Sequence, residues 1–374
     1  MRRTLAPWAL VFGLVILFPI LAVRAQEVQV EFAQPPLRFL TADTGSEDKK
    51  IEPSGVEPIG DGKLLLVVDD KSESLIVVEA ATARVKQSLK LGTFDNRPKW
   101  EALARDDEGA YYVIGSHFVE DPAEAGAQKQ LTDVSRLFRF RLRSDGPDGT
   151  SFAIDSDSSI EWDITDALAV EGYHRDPRKN EVNIEGLTVR TLRDPAGAVT
   201  LRELVIGLRE PHNPIRVYAA NITELPPPNA KLALNPLFRF HAGRREGILS
   251  QLSSIDYLPA WKGFFMLTST EDKSNRYHGN TLWFLSDEKI SASRPAEIQP
   301  DKLTLADLQL VEPQKVWVFG MDGKAEGLCV LSEEAASSGS QARRARLALV
   351  YDNDSGKTGN PGWLQFLTLL RWPE

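Results

Sequence analysis

Apolar residues along this chain gather in short runs, each bounded by Gly, Asp, Asn or Ser. The clearest are Leu64-Leu65-Leu66-Val67-Val68, Tyr112-Val113-Ile114-Gly115, Leu204-Val205-Ile206-Gly207, Phe264-Phe265-Met266-Leu267 and Leu347-Ala348-Leu349-Val350-Tyr351. Runs of this length between turn residues predict strands rather than helices. A related tripeptide precedes three of them: Glu101-Ala102-Leu103, Glu185-Gly186-Leu187 and Glu326-Gly327-Leu328. Two degenerate copies, Ser54-Gly55-Val56 and Ser254-Ile255-Asp256, precede the other two. A unit repeated along a chain defines the architecture before any single segment does.

The first unit is the most regular. Val56–Ile59, Leu64–Val68, Leu75–Glu79 and Val85–Leu91 are separated by Gly60-Asp61-Gly62 and Lys71-Ser72-Glu73, the pattern of one four-stranded antiparallel blade. In the second unit Phe138, Phe140 and Leu142 alternate with Arg139, Arg141 and Arg143, as a half-buried strand requires. A long polar loop is expected from His117 to Ser135. Helix signals are scarce, and Leu303–Leu310 is the best of them. The expected fold is all-β: a β-propeller of five blades, with six as the alternative. It occupies residues 51–374, after a polar leader at 26–50 whose Val28–Phe32 either closes the last blade or starts a sixth. The repeat averages roughly 64 residues, longer than the roughly 40–50 of common propeller repeats, so the excess is expected in loops.

Residues 1–25 read as a signal peptide. Met1-Arg2-Arg3 is a basic start, Ala9 to Val23 is apolar almost throughout, and Val23-Arg24-Ala25 supplies small residues for cleavage before Gln26. A periplasmic or secreted protein is expected, with no membrane span after cleavage. Net charge is −9, and loss of Arg2, Arg3 and Arg24 makes it more negative. That balance speaks against nucleic-acid binding, which needs a basic face. The single cysteine, Cys329, lies in an apolar strand and reads as a buried small hydrophobe. Trp100, Trp261, Trp283, Trp317, Trp363 and Trp372 read as blade core.

Three ordered segments carry a resemblance. Glu101-Ala102-Leu103 is followed by Gly115-Ser116-His117 and Ser135-Arg136-Leu137-Phe138-Arg139. Glu185-Gly186-Leu187 is followed by Ile206-Gly207-Leu208-Arg209-Glu210-Pro211, and Glu326-Gly327-Leu328 by Val350-Tyr351-Asp352. Together they resemble a bacterial domain-of-unknown-function family of β-propellers, neighbours of the phytase-like and esterase-like propellers. The resemblance covers residues 50 to 370 and implies a propeller. The fourth unit departs from the pattern at Ser253-Ser254-Ile255-Asp256.

Matching positions on the first strand of each blade should ring a central channel: Ser54, Glu101, Glu185, Ser254 and Glu326. The second strands should end beside them at Asp69-Asp70, Ser116-His117, Leu208-Arg209, Ser269-Thr270 and Asp352-Asn353. Carboxylates in a confined channel repel one another, and a hard cation would relieve that. Glu101, Glu185 and Glu326 are thus candidate ligands for calcium, and the competing reading makes them fasteners between blades. By analogy with phytase-like propellers, ester or phosphoester hydrolysis is the sharpest enzymatic expectation. His117 would be its acid or base, and Arg209, Lys99, Arg136, Asp69 and Asp352 would bind a small anionic ligand. The rival expectation is a monomeric scaffold that binds a protein or ligand without catalysis. Asp352-Asn353-Asp354-Ser355-Gly356 looks like part of a calcium loop but lacks the distant Glu of an EF-hand.

Overall fold

The computed structural model describes residues 28 to 372 apart from short stretches, of which 93–98, 146–150, 336–341 and 353–361 are the longest. The expected signal peptide and Asn353-Asp354 lie outside the described residues. β1 (Val28–Ala33) and β2 (Leu37–Arg38) precede the repeated units. Blade one comprises β3 (Pro53–Ile59), β4 (Leu64–Asp69), β5 (Ser74–Glu79) and β6 (Arg84–Lys90). Blade two comprises β7 (Trp100–Arg105), β8 (Tyr111–Gly115), β9 (Leu137–Ser144) and β10 (Phe152–Trp162). Blade three is β11 (Asn183–Arg193), β12 (Val199–Glu210), β13 (Ile215–Asn221) and β14 (Asn235–Phe240). Blade four is β16 (Ile248–Leu258), β17 (Gly263–Glu271), β18 (Tyr277–Ser286) and β20 (Gln314–Phe319), with short β15 (Arg244–Arg245) on its inner edge. A further short strand, β19 (Leu310–Val311), pairs in parallel with β14. Blade five is β21 (Lys324–Ala335), β22 (Arg343–Asp352) and β23 (Trp363–Arg371), and β1 completes it from the other end of the chain, Val28 opposite Arg371. The fold is a five-bladed β-propeller, and the leader strand closes the last blade rather than starting a sixth.

The apolar runs are continuous because each blade is sandwiched between two others. In β4, Leu65 and Val67 enter the core shared with blade five, while Leu66 and Val68 enter the core shared with blade two. In β12, Leu204 and Ile206 face blade two and Val205 faces blade four. The same division splits Phe264 and Met266 from Phe265 and Leu267 in β17, and Ala348 and Val350 from Leu347 and Leu349 in β22. A strand buried on both faces loses the alternation of a half-buried one. Trp100 and Trp261 are fully buried, and Trp372 is exposed.

The motif glycines sit where blades meet most closely. A methyl on Gly327 would fall 2.8 Å from the Cα of Gly55, and one on Gly55 would fall 2.8 Å from the Leu103 backbone nitrogen. Three local expectations need correction. The segment expected as a loop from His117 to Ser135 contains α1 (Ala127–Val134), whose Ala127, Leu131 and Val134 are spaced to bury one face. Leu303–Leu310 forms only a single 3-10 turn, Leu305–Asp307, closed by a Thr304/Asp307 capping box. Arg139 does not face solvent: its Nε donates to the Tyr112 hydroxyl at 3.2 Å beneath the outer strand.

Candidate functional site

The first residues of the inner strands and the last residues of the second strands enclose a cavity of about 830 Å³ at one end of the channel. Ser54, Glu101, Glu185 and Glu326 line it, as the repeat requires. The fourth blade supplies Gln251 instead of Ser254: every inner strand bulges at its ring residue, and in blade four the bulge falls on Ser253, so Ser254 takes the place of Gly55, Ala102, Gly186 and Gly327. Ser254 is used elsewhere, its hydroxyl accepting the Leu328 N–H of blade five at 3.1 Å. The fastening role expected for the glutamates therefore falls to Ser254, and also to Ser54, which donates to the Trp100 carbonyl of blade two at 3.1 Å.

Two positions before each ring residue, a second polar layer lines the same cavity: Glu52, Lys99, Asn183 and Lys324. Residues i and i+2 of a strand share a face, so each glutamate meets its own companion. Lys99 Nζ lies 3.6 Å from Glu101, Lys324 pairs with Glu326, and Asn183 Nδ2 donates to Glu185 Oε1 at 3.4 Å. Arg209 crosses from the end of β12, giving Nη1 to Glu185 at 3.0 Å and Nη2 to Glu271 of blade four at 3.1 Å.

These pairings separate the three acids electrically. Burial holds Glu101 well above the usual carboxylate range, and the Glu185 charge adds to it against the opposing pull of Lys99. Burial does the same to Glu326, outweighing Lys324 beside it. Burial also acts on Glu185, but Arg209, Lys324 and Lys99 together take it below the ordinary value. The site thus sets a carboxylate between two groups that hold protons more tightly, an arrangement suited to giving and taking a proton.

The expected metal ligands share the cavity without forming a metal-binding cluster. Among the described residues no group of three or more His, Cys, Asp and Glu side chains is arranged to hold a metal ion. A lysine or arginine already lies beside each glutamate, so a calcium ion would meet positive charge at every expected ligand, and the donor set does not fit a calcium site. The expectation of an anionic ligand meets a similar obstacle: among the described residues nine Asp and Glu side chains line the cavity against five Lys and Arg.

Of the other expected residues, Lys99, Arg209 and Asp352 reach the cavity. Asp69 lies behind it and accepts the Glu52 N–H at 3.0 Å, leaving Asp70 on the wall. Arg136 is in a separate cavity of about 340 Å³ with Tyr173 and Arg175, where it pairs with Asp133 and Glu161, each at 3.4 Å. His117 ends in the interior between blades two and three. Its backbone turns through a left-handed φ of 57°, and its ring packs edge-on to Tyr173 with centroids 5.6 Å apart. Neither ring nitrogen has a hydrogen-bond partner, and burial pushes its pKa down to about 3. Phe118, the next residue, faces the cavity in its place.

Gln251, Glu271 and Glu52 escaped sequence reasoning. The first two belong to blade four, which lacks the Glu-Gly-Leu or Glu-Ala-Leu tripeptide that marks the ring in blades two, three and five. For the lysines a signal exists: Lys99-Trp100-Glu101 and Lys324-Ala325-Glu326 repeat a Lys-x-Glu spacing.

No family model matches the chain, and no curated protein matches it. The likeness to phytase-like propellers therefore rests on the quoted motifs alone. Solved propellers resemble it in architecture. The PQQ-bound aldose sugar dehydrogenase of Streptomyces coelicolor is 13% identical, with 92% of this chain and 98% of that one covered and a TM-score of 0.39. A streptogramin B lyase is 7% identical over 91% and 97%, with a TM-score of 0.33. The Dos1 propeller is 9% identical over 84% of this chain, which spans only 58% of that one, with a TM-score of 0.34. These likenesses extend to the fold and no further.

Proposed function

We propose that this protein is an exported propeller whose channel mouth binds a small, polar, non-anionic molecule and can exchange a proton with it. The observation that supports this is the convergence of Glu101, Glu185 and Glu326, all buried, with the Arg209 clamp in one cavity of about 830 Å³. Buried ionisable groups facing a cavity are costly to keep, and functional sites are where such groups gather. Glu185, ionised, serves as acceptor. Glu101 serves as donor. The carboxylate surplus disfavours phosphoester substrates, so acid–base chemistry without a metal is preferred to calcium-dependent hydrolysis. Export rests on the basic and apolar segment before Gln26, and an N-terminus at Gln26 in the periplasmic fraction would support it.

The test is a thermal-melt screen of the purified chain against neutral, cationic and anionic small molecules, with calcium as a separate arm. A ligand at a hundred times its Kd adds about 2.7 kcal/mol to the native state. A shift that survives both Glu185→Gln and Glu326→Gln places the ligand elsewhere and overturns the reading. A shift with calcium alone, abolished by both substitutions, restores the metal site.

A further inference from the structure

The electrostatics of the cavity are only half of its chemistry; the other half is which hydrogen-bonding positions its walls leave open. Glu185 is 4% exposed and Glu326 5% exposed, yet in each carboxyl one oxygen, Oε2, lacks any hydrogen-bond donor. The Oδ1 of Asn183 is in the same condition, its amide nitrogen being committed to Glu185. Buried oxygens without donors are costly, and native structures rarely keep several in one place. All three belong to residues on the wall of the same cavity. The cations beside them cannot serve these atoms as well: Arg209 is spread between Glu185 and Glu271, and Lys324 is engaged by Glu326.

We infer that the ligand carries a primary ammonium group, which enters the channel mouth and donates to Glu185 Oε2, Glu326 Oε2 and Asn183 Oδ1. The inference rests on the reading of this cavity as a ligand site and narrows it to one chemical class. An ammonium brings three donors and no acceptor, matching three acceptors that lack donors. A hydroxyl brings one donor along with lone pairs, and the lysines and arginine that could serve those lone pairs are already paired with carboxylates. A carboxylate or phosphate would meet a wall where, among the described residues, acids outnumber bases nine to five. Phe118 and Tyr277, also on the wall, give the carbon frame of an amine an aromatic surface.

Two matched series test this by calorimetry on the purified chain: cadaverine, pentanediol and glutarate; and glucosamine, glucose and glucuronate. Within each series the frame is constant and the head group runs from cationic through neutral to anionic. Charge-assisted hydrogen bonds of the kind proposed predict that the amine binds at least about tenfold more tightly than its hydroxyl counterpart. Glu326→Gln should erase that preference. Asn183→Ala, at a half-buried position and without an orphaned cation, should reduce it while leaving the melt close to that of the parent. Equal binding of amine and hydroxyl members overturns the inference and leaves the ligand site standing. Tighter binding of the anionic members overturns both, as does binding by no member of either series. Calcium, potassium or sodium competing fully with cadaverine makes the site one for an inorganic cation and overturns the inference alone.

Discussion

Asp256 and Thr188 join the fourth blade to the third: the Thr188 hydroxyl donates to Asp256 Oδ1 at 2.8 Å. On its other oxygen Asp256 accepts the Val330 N–H of blade five at 2.7 Å, so one carboxyl spans three blades. Burial raises its pKa to about 6. A raised carboxyl pKa means that the folded state binds the proton more tightly than the unfolded chain does. Its contribution is fully present below the unfolded value near 4 and is lost as pH rises to about 6. Chemical denaturation across that window should show stability falling by on the order of 3 kcal/mol from this group. Asp256→Asn should flatten the slope. Asp256→Ala should lower stability at all pH values by on the order of 3 kcal/mol, because Thr188 and Val330 lose their acceptor.

Arg209 and Glu185 should be far more costly to separate than to replace together. Arg209→Met leaves Glu185 buried with its main counter-charge gone, and a loss of about 3–5 kcal/mol is expected in urea titration. The double variant Glu185→Leu with Arg209→Met should recover much of that loss. Because the folded pKa of Glu185 is lowered, its contribution is present above the unfolded value and disappears as pH falls through the folded one. The single arginine variant should lose that acid dependence. Independent, additive effects of the two substitutions would show that the pair does not act as a unit.

His278 bridges two turns at the cavity rim, its Nδ1 lying 2.7 Å from Glu246 and its Nε2 3.2 Å from Asp272. The hydrogen bonds to Asp272 and then Glu246 raise its pKa, against burial and Arg276. The raised value fixes the sign: the contribution is present below about 6.5 and lost as pH climbs through the folded pKa. His278→Gln should therefore lower the melting temperature more at about pH 6 than at about pH 9. An equal drop at both values would mean that the ring acts by packing alone.

Gly327 meets Gly55 across the seam between the last blade and the first. Gly327→Ala forces backbone apart and should cost about 1–3 kcal/mol. The equivalent position of blade two already holds Ala102, so Ala102→Gly should change stability by about 1 kcal/mol or less. A melt series over these two variants measures how closely the seam is packed. Gly327→Ala matching the parent would show that blade five can recede.

The propeller was legible because its strands are buried twice over. A run such as Leu64–Val68 feeds two cores at once, and no helix or half-exposed strand leaves that trace. Five blades were legible from the five repeats; what stayed open was Val28–Phe32, which could extend an edge or begin a sixth blade, and only its pairing with β23 decides. The glutamate ring was visible through its repeat. Its fourth member was not, because blade four has Ser253-Ser254 where the others have Glu-Gly, Glu-Ala or Ser-Gly, and the bulge common to all five inner strands falls on Ser253. His117 illustrates a different limit. A strand end places the backbone, but the left-handed turn at that residue sends the ring into the interior. Helix α1 hid for a simpler reason: Ala127, Leu131 and Val134 stand apart among Gln, Lys and Asp, too few to outweigh a polar stretch.

The pairing of β1 with β23 also joins segments far apart in the chain. The outermost strand of the final blade is synthesised long before its partner. Until then β1 has an open edge, and blades one and five cannot bury their shared apolar faces around a finished sheet. A nascent chain that stops short of Trp363 would leave those edges exposed, the condition that favours aggregation and proteolysis. Closure by β1 and β23 thus acts as a latch that shuts only when both of these distant segments are in place.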